Sequence, residues 1–183
     1  RAAAGSRLAV EHPCHADLVI GAPDSGLAAS IGFAQAMHLP HGSGLLKNRY
    51  VGRTFLQPNQ SHRETLVGLK FTALSEAVRD RSIVLVDDSI VRGTTTRHVI
   101  SLLRKAGARE VHMRIASPPL QYPCPYGVET PGQHDLTACE LTVSELQQHI
   151  GADSLGFLSL EGLRQVDDLG FAGSVADHRR APG

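Results

Sequence analysis

The run Ile83-Val84-Leu85-Val86 is a block of branched apolar residues with no polar residue inside it. A strand with one face on a core and the other in water alternates apolar and polar side chains, because successive side chains point to opposite faces. An unbroken run instead predicts a strand buried on both faces, as in a parallel sheet covered by helices on two sides. Few other architectures accept such a strand.

The rest of the chain repeats the pattern. Asp17–Gly21 reads as a short buried strand, followed by a helix from Leu27 to Met37, and Leu45–Leu46 begins another short strand. The stretch from Asn48 to Arg63 is polar and basic, with Gly52 and Pro58, and reads as a long functional loop. A helix is expected near Ala73–Arg79, then the strand Ser82–Val86 and a helix from Thr95 to Ala106. The stripe Val99, Leu102, Leu103 and Ala106 has helical spacing, and Gly107 stands where a C-terminal cap belongs. Val111–Ala116 is the next strand, and Ser117-Pro118-Pro119 with Pro123–Pro125 form a rigid, non-helical crossing. Thr142 and Glu145 make a capping box, with Leu141 and Leu146 as its hydrophobic staple. The expected fold class is α/β, a parallel sheet flanked by helices, in one domain over 1–166 with a loose or divergent tail over 167–183.

Composition narrows the function. Among 183 residues, 42% are apolar and 20% charged, with a formal net charge of zero, so nothing global draws the chain to nucleic acid or anionic lipid. No apolar run approaches the ~18 residues of a membrane span, and no apolar segment follows Arg1 to make a signal peptide. Three cysteines argue against a disulfide framework and for a reducing, cytoplasmic setting. The chain starts without Met, inside a helical pattern, and reads as a fragment or processed piece. His12-x-Cys14-His15 and His38-x-x-His41 lack the paired spacing of a four-ligand zinc site and read as surface histidines.

Ligands of such sheets sit beyond the carboxyl ends of the strands. There the chain places Asp87-Asp88 and then Ser89-Ile90-Val91-Arg92-Gly93-Thr94-Thr95-Thr96. Exposed N–H groups and hydroxyls at the start of a helix cradle a phosphate, aided by the helix dipole. Two carboxylates just before it suit sugar hydroxyls, a divalent cation or developing positive charge. A lone Asp-Asp after a strand is commonly only a helix cap; strand, acids, threonine-rich turn and amphipathic helix together point to a phosphorylated sugar. A second loop, Ala22-Pro23-Asp24-Ser25-Gly26, follows the first strand at the same sheet edge and is a candidate for pyrophosphate. The third element is the basic stretch Lys47-Asn48-Arg49-Tyr50-Val51-Gly52-Arg53, with Arg63 and Lys70 beyond it, a cationic lid for a polyanion.

IVLVDDSIVRGTT resembles the phosphoribosyl pyrophosphate signature of type I phosphoribosyltransferases. Together with PDSG, KNRYVGRTF, EVHMRIASPP and GADSLGFLSLEGL, it resembles the glutamine phosphoribosylpyrophosphate amidotransferase family from about Arg7 to Leu163. The resemblance implies that Asp87 and Asp88 engage ribose and Mg2+, with Ser25 joining the metal site. Residues Ser89, Arg92, Gly93, Thr94, Thr95 and Thr96 would hold the 5-phosphate, and Pro23, Asp24, Ser25 and Gly26 the pyrophosphate. Lys47, Arg49 and Arg53 would act from the closing loop. Ammonia would attack the anomeric carbon, giving 5-phosphoribosylamine and pyrophosphate in the committed step of purine synthesis.

Several features depart from that family. No segment corresponds to its N-terminal glutaminase domain, and Cys14 is internal, so the ammonia donor is expected from elsewhere. One branch holds a 4Fe-4S cluster through four cysteines; Cys124 in Tyr122-Pro123-Cys124-Pro125 matches one ligand, its partners are missing, and no cluster is expected here. Thr72 stands where the family usually shows Asn. The competing readings are a non-catalytic module of this fold that senses phosphoribosyl pyrophosphate or purines, a salvage transferase and an inactive fragment. A salvage enzyme would need an aromatic hood, and aromatics are 4% of the chain. The resemblance also implies a homo-oligomer in the full-length enzyme, with no nucleic-acid or membrane partner.

Overall fold

β4 (Ser82–Asp87) is the strand that the apolar run predicts, and it lies inside a parallel sheet, with β1 (Leu18–Gly21) on one side and β5 (Glu110–Ile115), then β6 (Ser154–Phe157), on the other. The computed structural model describes residues 1–48, 70–120 and 141–167. β1 (Leu18–Gly21) pairs with β4 through Leu18–Ile83 to Gly21–Val86, and β5 (Glu110–Ile115) pairs on the other side through Ser82–Glu110 to Asp87–Ile115. β6 (Ser154–Phe157) adds beyond β5. Parallel pairing in this register brings the carboxyl ends of β1, β4 and β5 to one edge.

Alternation along β4 divides the core. Ile83 and Leu85 join one apolar cluster with Val99, Ile100 and Leu103 of α4 (Thr94–Lys105) and Leu146 and Ile150 of α5 (Val143–Ile150). Val84 and Val86 join a second cluster with Leu8 of α1 (Ala2–Glu11) and Phe33 of α2 (Leu27–Met37). Leu163 and Val166 of α6 (Leu160–Asp167) pack against that second cluster. Both faces of the central strand are covered, which explains why none of its first five residues needed a polar side chain except Ser82.

Two elements differ from the sequence expectation. The helix expected near Ala73–Arg79 is shorter: β3 (Phe71–Ala73) precedes α3 (Ser75–Val78). β3 pairs antiparallel with β2 (Leu45–Lys47), so Ala73, opposite Leu45, is committed to a sheet rather than to the expected helix. The physical reason is non-local, since a three-residue strand has too few side chains to declare its period. The capping box forms as expected: Thr142 accepts from Glu145 N, and the Glu145 carboxylate accepts from Thr142 N. The expected tail over 167–183 lies outside the described residues from 168 onward. Among the described residues, no helix is long and apolar enough to cross a membrane.

Candidate functional site at the carboxyl edge of the sheet

The turn after β1 is locked to the strand beside it. Ala22 N donates to Val86 O at 2.8 Å and Gly26 N to Ala22 O at 2.9 Å, with a cis peptide bond between Pro23 and Asp24. A methyl group at position 26 would strike Val86 O and come to 3.0 Å from the Asp87 Cα, so only glycine lets the loop lie this close to β4. The close approach delivers Ser25, whose Oγ donates to Asp87 Oδ1 at 2.9 Å. Two loops separated by 62 residues thus meet through one hydrogen bond.

Asp87 ends β4, and its Oδ1 also accepts from Asp88 N at 2.8 Å. Burial pushes the Asp87 carboxyl up to about 7, and the neighbouring Asp88 carboxylate adds to the rise. The bonds from Asp88 N and Ser25 Oγ pull the other way without compensating. A buried carboxyl with an acidic neighbour is short of positive charge, and a cation or a polyhydroxyl ligand would relieve it. Ser89 Oγ donates to Asp88 Oδ1 at 3.3 Å.

Beyond the acids the chain crosses to α4. Ile90 is buried in the core and anchors the loop at its middle. Gly93 adopts φ 70° as the N-cap, and no side chain caps the helix there. The first N–H groups of α4 are therefore presented without an internal acceptor, as an anion site requires. Thr94 and Thr95 are exposed beside them, as is Arg92, whereas Thr96 is buried beneath the turn.

Lys47 is the last residue of β2 rather than part of a loop, and its Nζ donates to Asp24 Oδ2 at 2.6 Å. The two side chains are 30% and 56% exposed, so the pair is screened by water and orients more than it stabilises. Sequence spacing carried no sign of this contact between a strand end and the first loop. Arg49, Arg53 and Cys124 lie outside the described residues, as does most of the expected lid. Pro23, Asp24, Ser25, Gly26, Lys47, Asp87 and Asp88 are brought together through the contacts above, and Ser89, Arg92, Gly93, Thr94, Thr95 and Thr96 continue from them along one loop.

His15, His38 and His41 are exposed, as expected of surface histidines, and His12 is half-buried. His12 Nε2 lies 2.9 Å from Phe157 O and His41 Nε2 lies 2.9 Å from Ser30 Oγ, contacts that tie loops to β6 and α2. Among the described residues no three His, Cys, Asp or Glu side chains converge as a metal cluster. The oxygens of Asp87, Asp88 and Ser25 nevertheless fit Mg2+, a hard ion bound through one or two carboxylates with water and substrate phosphate filling its shell.

The fold and this edge define a phosphoribosyltransferase-like α/β domain of type I. No family model matches the chain. It is 54% identical over 159 residues to the amidophosphoribosyltransferase of Synechocystis sp. (strain ATCC 27184 / PCC 6803 / Kazusa), a match covering 87% of the chain and 32% of that relative. It is 50% identical over 169 residues to the amidophosphoribosyltransferase of Bacillus subtilis (strain 168), covering 90% of the chain and 36% of the relative. A solved structure of glutamine phosphoribosylpyrophosphate amidotransferase from B. subtilis, complexed with ADP and GMP, superposes with a TM-score of 0.82 at 48% identity, over 94% of this chain and 38% of that one. The chain thus spans about a third of the length of the curated relatives it matches. Over that third, it is homologous to the amidophosphoribosyltransferases.

Proposed function

We propose that this chain is the synthase domain of an amidophosphoribosyltransferase. It binds phosphoribosyl pyrophosphate with Mg2+ and joins ammonia to the anomeric carbon, giving 5-phosphoribosylamine and pyrophosphate at the first committed step of purine synthesis. The hydrogen bond from Ser25 Oγ to Asp87 carries the reading, because it sets the candidate pyrophosphate loop against the acid pair. The ribose would lie at Asp87 and Asp88, with its 5-phosphate at Gly93–Thr96 and its pyrophosphate at Pro23–Gly26.

In the reaction, the lone pair of ammonia forms the C–N bond while the bond from C1 to the pyrophosphate oxygen breaks with its electrons. The released proton passes to solvent. Positive charge grows on the ribose as the leaving group departs, and carboxylates beside the sugar stabilise it. Lys47, Arg49 and Arg53 offset the charge on pyrophosphate. Asp87, Asp88 and Ser25 would hold the Mg2+, which supplies further neutralisation of the leaving group when bound. No protein nucleophile is needed. The ammonia donor, whether a glutaminase domain or free ammonia, a homo-oligomeric assembly and a cytoplasmic setting belong to the same proposal.

The test is pyrophosphate release from phosphoribosyl pyrophosphate and ammonium chloride, with and without Mg2+. Wild type should turn over only with the metal, and Asp87→Asn with Asp88→Asn together should abolish turnover. Tight, Mg2+-dependent binding with no product would instead make this a sensing module of the same fold. No binding of phosphoribosyl pyrophosphate by the wild type would refute both.

A further inference from the structure

The chain between α2 and the two-stranded sheet climbs along β1 toward the candidate site, and three contacts mark its path. Val19 N donates to Pro40 O and Gly42 N to Val19 O, which bridges His41 to β1 in parallel. Gly44 comes next, so close to β1 that a methyl group there would lie 3.0 Å from both Ile20 Cδ1 and Ile20 Cγ2. Lys47 then reaches the loop that follows β1, with its Nζ 2.6 Å from Asp24 Oδ2. Alternation along β2 aims it there. Leu45 is buried in the core, Leu46 is 51% exposed, and Lys47 shares the face of Leu45. At the next residue of the loop, Ser25 Oγ is bonded to Asp87. Two successive residues are thus held by two different sheets, Asp24 by β2 and Ser25 by β4.

An acid is out of place in a loop that holds pyrophosphate, because its charge repels the anion. Here that charge is met by the Lys47 ammonium. We propose that Asp24 is a positioning residue rather than a contact to the ligand: its carboxylate fixes the Lys47 ammonium at the loop before pyrophosphate arrives. The assignment rests on reading Pro23–Gly26 as the pyrophosphate loop. A lysine side chain turns about four bonds, and freezing it when the ligand binds would weaken binding. An acid that has already frozen it removes that cost. The bond to Asp24 uses one of the three N–H donors of the ammonium, and a phosphate oxygen can take another. The competing role is plain repulsion, in which Asp24 only lowers affinity for the anion and its removal tightens binding.

The experiment is calorimetric titration of the full chain, in Mg2+, with two probes. Inorganic pyrophosphate is the leaving group without the ribose, and ribose 5-phosphate is the sugar without the leaving group. Asp24→Ala should weaken pyrophosphate about fivefold, the effect of one side chain left to be ordered by the ligand, and leave ribose 5-phosphate unchanged. With Lys47→Met in place, adding Asp24→Ala should weaken pyrophosphate no further. Asp24→Asn keeps an acceptor for the ammonium and should bind pyrophosphate better than Asp24→Ala. Equal or tighter pyrophosphate binding by Asp24→Ala would overturn the proposal in favour of repulsion. It would also be overturned by the same deficit in the absence of Lys47, by a matching loss of ribose 5-phosphate, or by Asp24→Asn no better than Asp24→Ala. Wild type that binds ribose 5-phosphate but ignores pyrophosphate would overturn the reading of the loop, and the proposal with it.

Discussion

Replacing Asp87 by asparagine should stabilise the protein above neutral pH and, on the proposed function, remove the binding of metal and substrate. The carboxyl titrates near 7 in the fold against an ordinary 3.8, with burial as the main cause. Its contribution to stability is therefore fully present below pH 3.8, declines as the pH rises, and is lost above about 7, where the folded protein carries an ionised acid that it disfavours. Each tenfold in proton affinity is about 1.4 kcal/mol, which bounds the loss at ~4 kcal/mol. Asp87 is partly open to water, which lowers the expected figure to ~2 kcal/mol. An asparagine Oδ1 can go on accepting from Ser25 Oγ and Asp88 N, so the substitution removes charge and little else. The assay is thermal unfolding of both proteins from pH 4 to pH 8.5. Asp87→Asn should exceed wild type by roughly 4–8 °C at pH 8 for a chain of this size, with the gap closing toward pH 4. Acids other than the neighbouring Asp88 contribute equally to both curves and cancel in the difference. Added Mg2+ should raise the wild type alone. Parallel curves, or a less stable variant at pH 8, would refute the account of a carboxyl destabilised by burial.

Two further substitutions probe the scaffold. Gly26→Ala should cost about 2–4 kcal/mol in urea unfolding, because the new methyl meets Val86 O and forces the Ser25 loop off β4; an unchanged midpoint would show that the loop yields freely. Glu11→Gln should cost about 1 kcal/mol at pH 7. Burial pushes the Glu11 carboxyl up, but bonds from Ser159 N, Ser159 Oγ and Arg7 outweigh it and hold the group below its usual range. Its stabilisation is present above the ordinary carboxylate range and lost as the pH falls through the depressed value, so the two unfolding curves should converge in acid.

The local parts of the candidate site are legible in the sequence. The acids, the threonine-rich turn and α4 are consecutive, and each carries its signal locally: an unbroken apolar strand, a glycine, then a stripe at helical spacing. The capping box at Thr142 was equally plain, since both partners sit within one helical turn. β6 carries no plain sequence signal because Ser154–Phe157 contains Gly156 and only two buried residues, so neither run nor alternation marks it. The basic stretch after it makes Lys47 look like part of a lid, and only its antiparallel pairing with Phe71 shows it to be the end of a strand.

Arg114 shows the limit from the other direction. The residue is 5% exposed, and its guanidinium donates to His12 O at 3.0 Å, Met113 O at 2.8 Å and Ser154 Oγ at 3.0 Å. Nothing about a lone arginine in a strand announces burial, because its acceptors come from the N-terminal segment and β6. What the order of residues settled by itself was periodicity and capping, properties that depend on neighbours within a turn or two. Which loop faces which acid was decided by the parallel register of β1 on β4, since contacts across 62 residues exist only after the sheet has paired.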